Sequence, residues 1–345
     1  MLIFLTGKTP ELKNLEGEKE MDVLELAKEI IDGRRMKRGE DLSFFLTCNL
    51  DELCEGADQI RAALIGNKID LCSIINGLSG RCTEDCKYCA QSAHHQTNCE
   101  VYDFLPVDTI LKQCRLNETE KVDRFSIVTA GGALDGEEFE KAIEAYKVLK
   151  ENTRIDLCAS MGFLSREQLR RLKEAGVTSY HHNIETSKRN FANICTTHTY
   201  EMKIETLKMV KEEGLCVCSG GIIGMGETWE DRLDMAISLS EIPAESIPIN
   251  ALMPIPGTPL ERQKPLTEDE ILRTIAIFRY INPVANIRLA AGRALLENDG
   301  EKAFHAGASA TITGNMLTTA ACATIRSDRE MLAGMGRDVE PRYPR

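Results

Sequence analysis

A closed (β/α)8 TIM barrel with a helical extension in front of it is the fold this sequence predicts. Three observations point there. Eight short runs rich in β-forming residues follow one another from residue 71 onward. Amphipathic helical patterns separate them, which implies βα units and a parallel sheet. Together they fill the roughly 250 residues that such a barrel takes, a better fit than an open doubly wound sheet.

The elements follow in order. Residues 1–70 read as a helical extension, with Val23, Leu26, Ala27, Ile30 and Ile31 at helical spacing. A second helix starts at 49–53 and continues through 57–64, ending at Gly66-Asn67. The predicted strands are 71–75, 124–129, 155–159, 179–184, 216–223, 246–252, 286–290 and 310–313. Helices are expected over 136–150, 165–175, 200–213, 230–240 and 267–281. Ser165 with Gln168 three residues later fits a capping box. Pro243 and Gly257-Thr258-Pro259 mark loops. The expected division is an extension at 1–70, a barrel at 71–330 and a tail at 331–345.

Composition narrows the function. The chain has 345 residues, 43% hydrophobic and 28% charged, an ordinary balance for a water-soluble globular protein. Its formal charge of −12 opposes nonspecific nucleic-acid binding. One Trp and 5% aromatics give no base-stacking platform. The apolar run at 2–5 stops at Gly7-Lys8, too short for a secretory signal, and no run reaches membrane-span length. The expectation is a cytoplasmic protein with neither nucleic-acid nor membrane partners. Thirteen cysteines, an odd number, then read as metal ligands or small buried apolar residues, not disulfides.

Chemistry in such a barrel sits where strands end at their C-termini. After the first strand comes Cys82-Thr83-Glu84-Asp85-Cys86-Lys87-Tyr88-Cys89. Three thiolates within eight residues wrap one corner of a cuboidal iron–sulfur cluster and leave one iron open. Structural zinc takes four ligands at paired spacings, and no fourth ligand of that spacing follows. His94 and His95 lie near but lack the spacing.

This triplet, with an aromatic before its last Cys, resembles the signature of the radical S-adenosylmethionine superfamily. The longer string from Asn76 to Ser92 resembles the biotin synthases within it. The resemblance spans roughly 40–330 and includes 180–186, 217–222 and Gly257-Thr258-Pro259-Leu260. It implies the same barrel. It also implies that Cys82, Cys86 and Cys89 hold a [4Fe–4S] cluster that binds S-adenosylmethionine. Reductive cleavage of that molecule would give a 5′-deoxyadenosyl radical. Tyr88 and the string containing Gly220, Ile222 and Gly224 would flank the adenine, and Asn183 and Glu185 would grip the ribose. Asn183 and Glu185 are two apart, so one face is expected for both. Asp is usual in the family where Glu185 stands, and Asn is common where His181 stands.

Biotin synthases carry a second cluster, [2Fe–2S], on three Cys and one Arg. Two of those Cys match Cys158 and Cys218, and the Arg matches Arg288. The third position is Ser126, a hard hydroxyl in place of a soft thiolate. Cys195, on the loop after the fourth strand, offers a replacement. The expectation is a four-iron auxiliary cluster on Cys158, Cys195 and Cys218, its remaining iron carrying an extra sulfide or bound by Arg288. The competing arrangement is a [2Fe–2S] cluster completed by Ser126 or Cys195. Cys216 is a reserve ligand. Cys48, Cys54, Cys72, Cys99 and Cys114 read as small apolar residues, and Cys322 as simply exposed.

The implied substrate is dethiobiotin, its ureido ring met by Asn183 and Asn250 and its carboxylate by Thr318 and Thr319. The plain alternative for the two threonines is a turn and cap. The implied partners are an electron donor such as flavodoxin or ferredoxin, the iron–sulfur assembly machinery, and a second copy in a homodimer. Two other readings stay open: a radical enzyme of this barrel type without sulfur insertion, and a metal-binding protein using the triplet structurally.

Overall fold

A computed structural model describes residues 21–314 and 324–343. Its strands are β1 (Asp70–Leu78), β2 (Arg124–Thr129), β3 (Asp156–Ser160), β4 (Val177–His181), β5 (Cys216–Cys218), β6 (Gly221–Ile223), β7 (Ser246–Ala251), β8 (Asn286–Leu289) and β9 (Ala310–Ile312). They form one sheet in the order β5-β4-β3-β2-β1-β9-β8-β7-β6, and β5 also pairs with β7. β5 and β6 both lie against β7, so they are two halves of one strand position. The sheet therefore closes into a parallel barrel of eight positions, each matching a predicted strand.

Two strands differ from the sequence expectation. β4 ends at His181, where its ladder with β5 stops at the pair His181–Cys218, and beyond it Glu185 turns into the left-handed region with φ 69°. The fifth position breaks at Ser219-Gly220. There the Gly220 N–H donates to Asn183 Oδ1 at 2.9 Å instead of to a neighbouring strand. The Gly220 carbonyl accepts from Ile184 and Glu185. One loop after β4 thus interlocks with the gap in its neighbour.

The helices are α1 (Val23–Ile31), α2 (Phe44–Thr47), α3 (Leu50–Leu64), α4 (Val107–Thr119), α5 (Gly136–Asn152), α6 (Arg166–Glu174), α7 (Lys188–Phe191), α8 (Tyr200–Glu212), α9 (Trp229–Glu241), α10 (Glu268–Ile281), α11 (Glu301–His305) and α12 (Ile325–Gly334). The Ser165 capping box opens α6 as expected. Asp22 and Asn49 cap α1 and α3 through their side chains. The extension docks on α10, where Tyr280 donates its hydroxyl to the Val23 carbonyl at 2.8 Å and meets the edge of Phe45. The expected boundary at residue 331 falls inside α12. The segment beyond α12 is tied to the start of β1: Ile69 N–H donates to Asp338 O, and Asp338 N–H to Asn67 O, each at 2.9 Å. Among the described residues no helix is long and apolar enough to cross a membrane.

Alternate residues of each strand face the barrel interior. They enclose a cavity of about 270 Å³ whose walls include Cys72, Arg124, Ser126, Cys158, Cys218 and Arg288. Deep in the barrel Arg124 pairs with Asp70 at 2.8 Å and with Asp156, and Arg288 pairs with Asp70 at 2.5 Å. Burial alone would push the Asp70 carboxyl up, but the two guanidinium groups hold it well below the usual range.

His181 ends β4 and lines the cavity, and His182 follows it, buried. Burial holds both below the ordinary 6.5, His181 at about 4. The unfolded chain therefore binds protons below pH 6.5 that the folded chain refuses. Stability is complete above about pH 6.5 and falls as pH drops toward 4. Thermal melts should show a lower midpoint at pH 5 than at pH 7; equal midpoints would contradict this.

Candidate functional site: a cysteine loop and a thiol-lined barrel interior

The cysteine triplet lies on the loop leaving the C-terminal end of β1. That loop is closed on itself. Cys82 N–H donates to Gln91 O at 3.0 Å, Ala93 N–H to Cys82 O at 2.8 Å, and Ser92 Oγ to Glu84 O at 2.6 Å. Gln91 Oε1 also receives the Gly80 N–H at 3.0 Å. This curl collects three thiols in one short segment; Cys82 and Cys86 are buried and Cys89 half-buried. His94 Nε2 and His95 Nδ1 bond backbone carbonyls, of Thr83 and Cys89, so one ring nitrogen of each is already engaged.

Beside the triplet, Tyr88 and Ile222 pack on a small apolar cluster of Ile194, Met225, Leu252 and Leu260, separate from the main core. Gly224 opens the next turn with φ 92°. Glu227 ties that turn down by accepting from Gly224 N–H at 2.8 Å, Met225 N–H at 2.7 Å and Arg232 Nε at 2.8 Å. Gly220 is demanded by packing, since a Cβ there would sit 1.9 Å from Pro248 O.

Asn183 and Glu185 do not share a face. Asn183 lines the barrel cavity and Glu185 does not, because the positive φ at Glu185 breaks the two-residue alternation. Glu185 is buried, and its Oε2 has no hydrogen-bond partner. A buried acceptor left open suits a hydroxyl-bearing ligand such as a ribose. Lys203 Nζ, 3.9 Å away, balances part of its charge. Asn250 also lines the cavity, but its amide already bonds Gly221 O at 3.0 Å and Ala291 N–H at 3.2 Å. Thr318, Thr319 and Cys322 lie outside the described residues.

Cys195 departs from expectation. It does not line the cavity that holds Cys158 and Cys218. Its Sγ sits 3.7 Å from Cys86 Sγ, 3.4 Å from His198 Nδ1 and 3.1 Å from Asp85 Oδ1. The cause is the Asp85 carboxylate, which takes the N–H of Thr196 at 2.8 Å and of Thr197 at 3.2 Å. Lys87 N–H completes the seam by donating to Ile194 O. The loop after β4 is thereby stitched to the triplet loop. Glu84 joins from the same side, accepting from His198 at 2.5 Å and Thr197 at 2.6 Å. Among the described residues, Cys86, Cys195 and His198 form the one group close enough for a single ion. Sequence reasoning misses Asp85, Glu84 and His198; acidic residues inside the Cys-x3-Cys spacing are the available signal.

Inside the barrel, Cys158 and Cys218 face the cavity from β3 and β5, and Ser126 faces it from β2. In the ladder Ser126 lies between Ile74 and Cys158. Cys72, expected to be a packing residue, faces the same cavity from β1. Burial raises all three thiols, Cys72 to about 12, while Arg288 pulls Cys72 and Cys218 back and Arg124 pulls Cys158 back. Cations that lower buried thiols suit a group that binds as thiolate. Arg288 donates Nε to Ser246 at 3.2 Å, Nη1 to the Asp70 and Thr311 carbonyls, and Nη2 to Asp70 Oδ1. One Nη2 hydrogen is left over. These residues fit an anionic iron–sulfur group: soft donors, fixed positive charge and a spare donor hydrogen.

Gly220→Ala should force this interlock apart and destabilise the chain by about 1–3 kcal/mol, read as a lower thermal midpoint with the same secondary-structure content. An unshifted midpoint would mean that the strand break tolerates a Cβ.

Comparison with known proteins agrees with this geometry. The Radical SAM superfamily model matches residues 77–239. The Biotin and Thiamin Synthesis associated domain matches residues 248–338. A biotin synthase of Alkaliphilus metalliredigens is 61% identical over 316 residues, covering 92% of this chain and 99% of the relative. One of Clostridium beijerinckii is 60% identical, covering 91% and 99%. Among solved structures, methylornithine synthase (PylB) superposes with a TM-score of 0.78 at 19% identity, over 92% of this chain and 97% of that one. That likeness concerns the barrel alone. At 61% identity along almost its whole length, with both domain models in sequence, the chain belongs to the biotin synthase family of the radical SAM superfamily.

Proposed function

We propose that this chain converts dethiobiotin to biotin by radical sulfur insertion. The single observation that carries the reading beyond family membership is the cavity: thiols line the barrel interior, reached from the strand ends where the triplet loop sits. A radical enzyme that inserted no sulfur would have no need of soft donors there.

Cys82, Cys86 and Cys89 would hold a [4Fe–4S] cluster, which when bound supplies the electron that splits S-adenosylmethionine into methionine and a 5′-deoxyadenosyl radical. Tyr88, Gly220, Ile222 and Gly224 would position the adenine, and the open Glu185 carboxylate the ribose; Asn183, which faces the barrel cavity instead, falls to the substrate side. Cys158 and Cys218, with Arg288 beside them, would hold an auxiliary cluster whose chemistry is to supply the sulfur. A four-iron form with an extra sulfide is favoured over [2Fe–2S], because Ser126 is a poor thiolate substitute.

The remaining work falls to the chain itself. The closed barrel excludes water from the reacting carbons and holds the substrate between the two groups. Asn183 and Asn250 are both fixed by the backbone, so each offers its remaining amide hydrogens and lone pairs to the ureido ring in one set orientation. The net change replaces two carbon–hydrogen bonds by two carbon–sulfur bonds and consumes two S-adenosylmethionine. Flavodoxin or ferredoxin as electron donor, iron–sulfur assembly proteins as partners, a homodimer and a cytoplasmic site accord with this reading.

The test is an anaerobic reaction of reconstituted protein with reductant, S-adenosylmethionine and dethiobiotin, read by mass spectrometry. Biotin and 5′-deoxyadenosine are both expected from the unaltered chain. Cys82→Ala should abolish both, and Cys158→Ala should keep 5′-deoxyadenosine while losing biotin. 5′-Deoxyadenosine without biotin from unaltered protein shown to carry both clusters would refute sulfur insertion.

A further inference from the structure

β1 and β3 carry the same tripeptide. Asp70-Leu71-Cys72 opens one strand and Asp156-Leu157-Cys158 the other. β2 lies between them, paired in parallel with both. Its Arg124 reaches to either side and pairs with Asp70 and with Asp156. Their register is staggered: Arg124 stands opposite Cys72 on β1 and opposite Asp156 on β3, a two-residue step across two strands such as the tilt of barrel strands produces. Each cysteine stands two residues further along, so it faces the interior as its aspartate does. Both cysteines line the one cavity, together with Cys218; Cys216, the reserve ligand, also lines it but is solvent-exposed.

Cys195 cannot complete the trio, for it is held by Asp85 at 3.1 Å beside Cys86. Ser126 offers only a hydroxyl from the intervening strand. We infer that Cys72, from β1, is the third thiolate ligand of the auxiliary cluster, joining Cys158 and Cys218. This rests on the reading that such a cluster exists. It changes which strands hold it: the first, third and fifth positions of the barrel, with Arg288 of β8 on the remaining side. Odd-numbered strands place their inward residues in common layers of such a barrel. Three thiolates from three alternate strands then surround the axis, instead of lining up along one wall. The spacing also differs in kind from that at Cys86, Cys195 and His198. Those ligand atoms lie within 4.8 Å of one another, as a single ion requires, and the barrel thiols do not form such a group. A cluster of several irons bridges the wider span.

The experiment measures iron and sulfide per chain, with Mössbauer spectra, in anaerobically reconstituted full-length protein. Cys72→Ser, Cys158→Ser and Cys195→Ser are compared with the unaltered chain. Cleavage of S-adenosylmethionine reports on the first cluster separately. The expected result is that Cys72→Ser and Cys158→Ser each lose about half of the bound iron while still yielding 5′-deoxyadenosine. Cys195→Ser keeps the auxiliary iron. Cys72→Ala serves as a second variant, and the secondary-structure spectrum of each metal-free chain checks folding. Full iron and an unchanged auxiliary signal in a folded Cys72 variant, with loss in Cys158→Ser, would overturn the assignment and leave the auxiliary cluster standing. One cluster's iron in the unaltered chain would overturn both.

Discussion

Asp70 is the hinge of the interior. One carboxylate binds two guanidinium groups, Arg124 and Arg288, which arrive from β2 and β8 on opposite sides of β1. Burying three charges is costly unless each is met by its partner and by hydrogen bonds. Here Arg288 directs its remaining donors to Ser246 and to the Asp70 and Thr311 carbonyls. Slipping any of these strands by one residue would turn a charge outward and strand another. The network therefore fixes register around much of the barrel. It also leaves cationic groups aimed at the thiols just beyond.

Most of the architecture is legible in the sequence, because strand and helix periods are local properties. All eight strand positions, the five helices expected between them and the Ser165 cap reappear in the structure. The exceptions arise where distant residues act on the backbone. The gap between β5 and β6 exists because Asn183 captures the Gly220 N–H. The early end of β4 goes with that gap, since its last pairing is His181 with Cys218 of β5. Neither partner is a sequence neighbour. The boundary at 331 fails for a similar reason, since the end of the chain is held by residues near 67–69.

The site divides the same way. The triplet declares itself by spacing. Cys195 is misplaced by sequence reasoning because its position after a strand says which end of the barrel it occupies, not which way its loop folds. Asp85 decides that, through hydrogen bonds to the backbone of Thr196 and Thr197. Cys72 reads as an apolar residue although the repeated Asp-Leu-Cys stands in plain view. Its meaning depends on Arg124 lying between two strands, a fact of pairing and not of composition.

The tether between Ile69 and Asp338 has a consequence for how the protein is made. The barrel's first strand is completed by residues near the other extreme of the chain, a contact spanning most of the sequence. Contacts of such separation close late. During translation β1 emerges long before β9, its partner across the barrel seam, so the sheet that encloses the thiols cannot close until Ala310–Ile312 has been added. The interior cysteines of β1, β3 and β5 are therefore all made before the strand that closes the barrel around them.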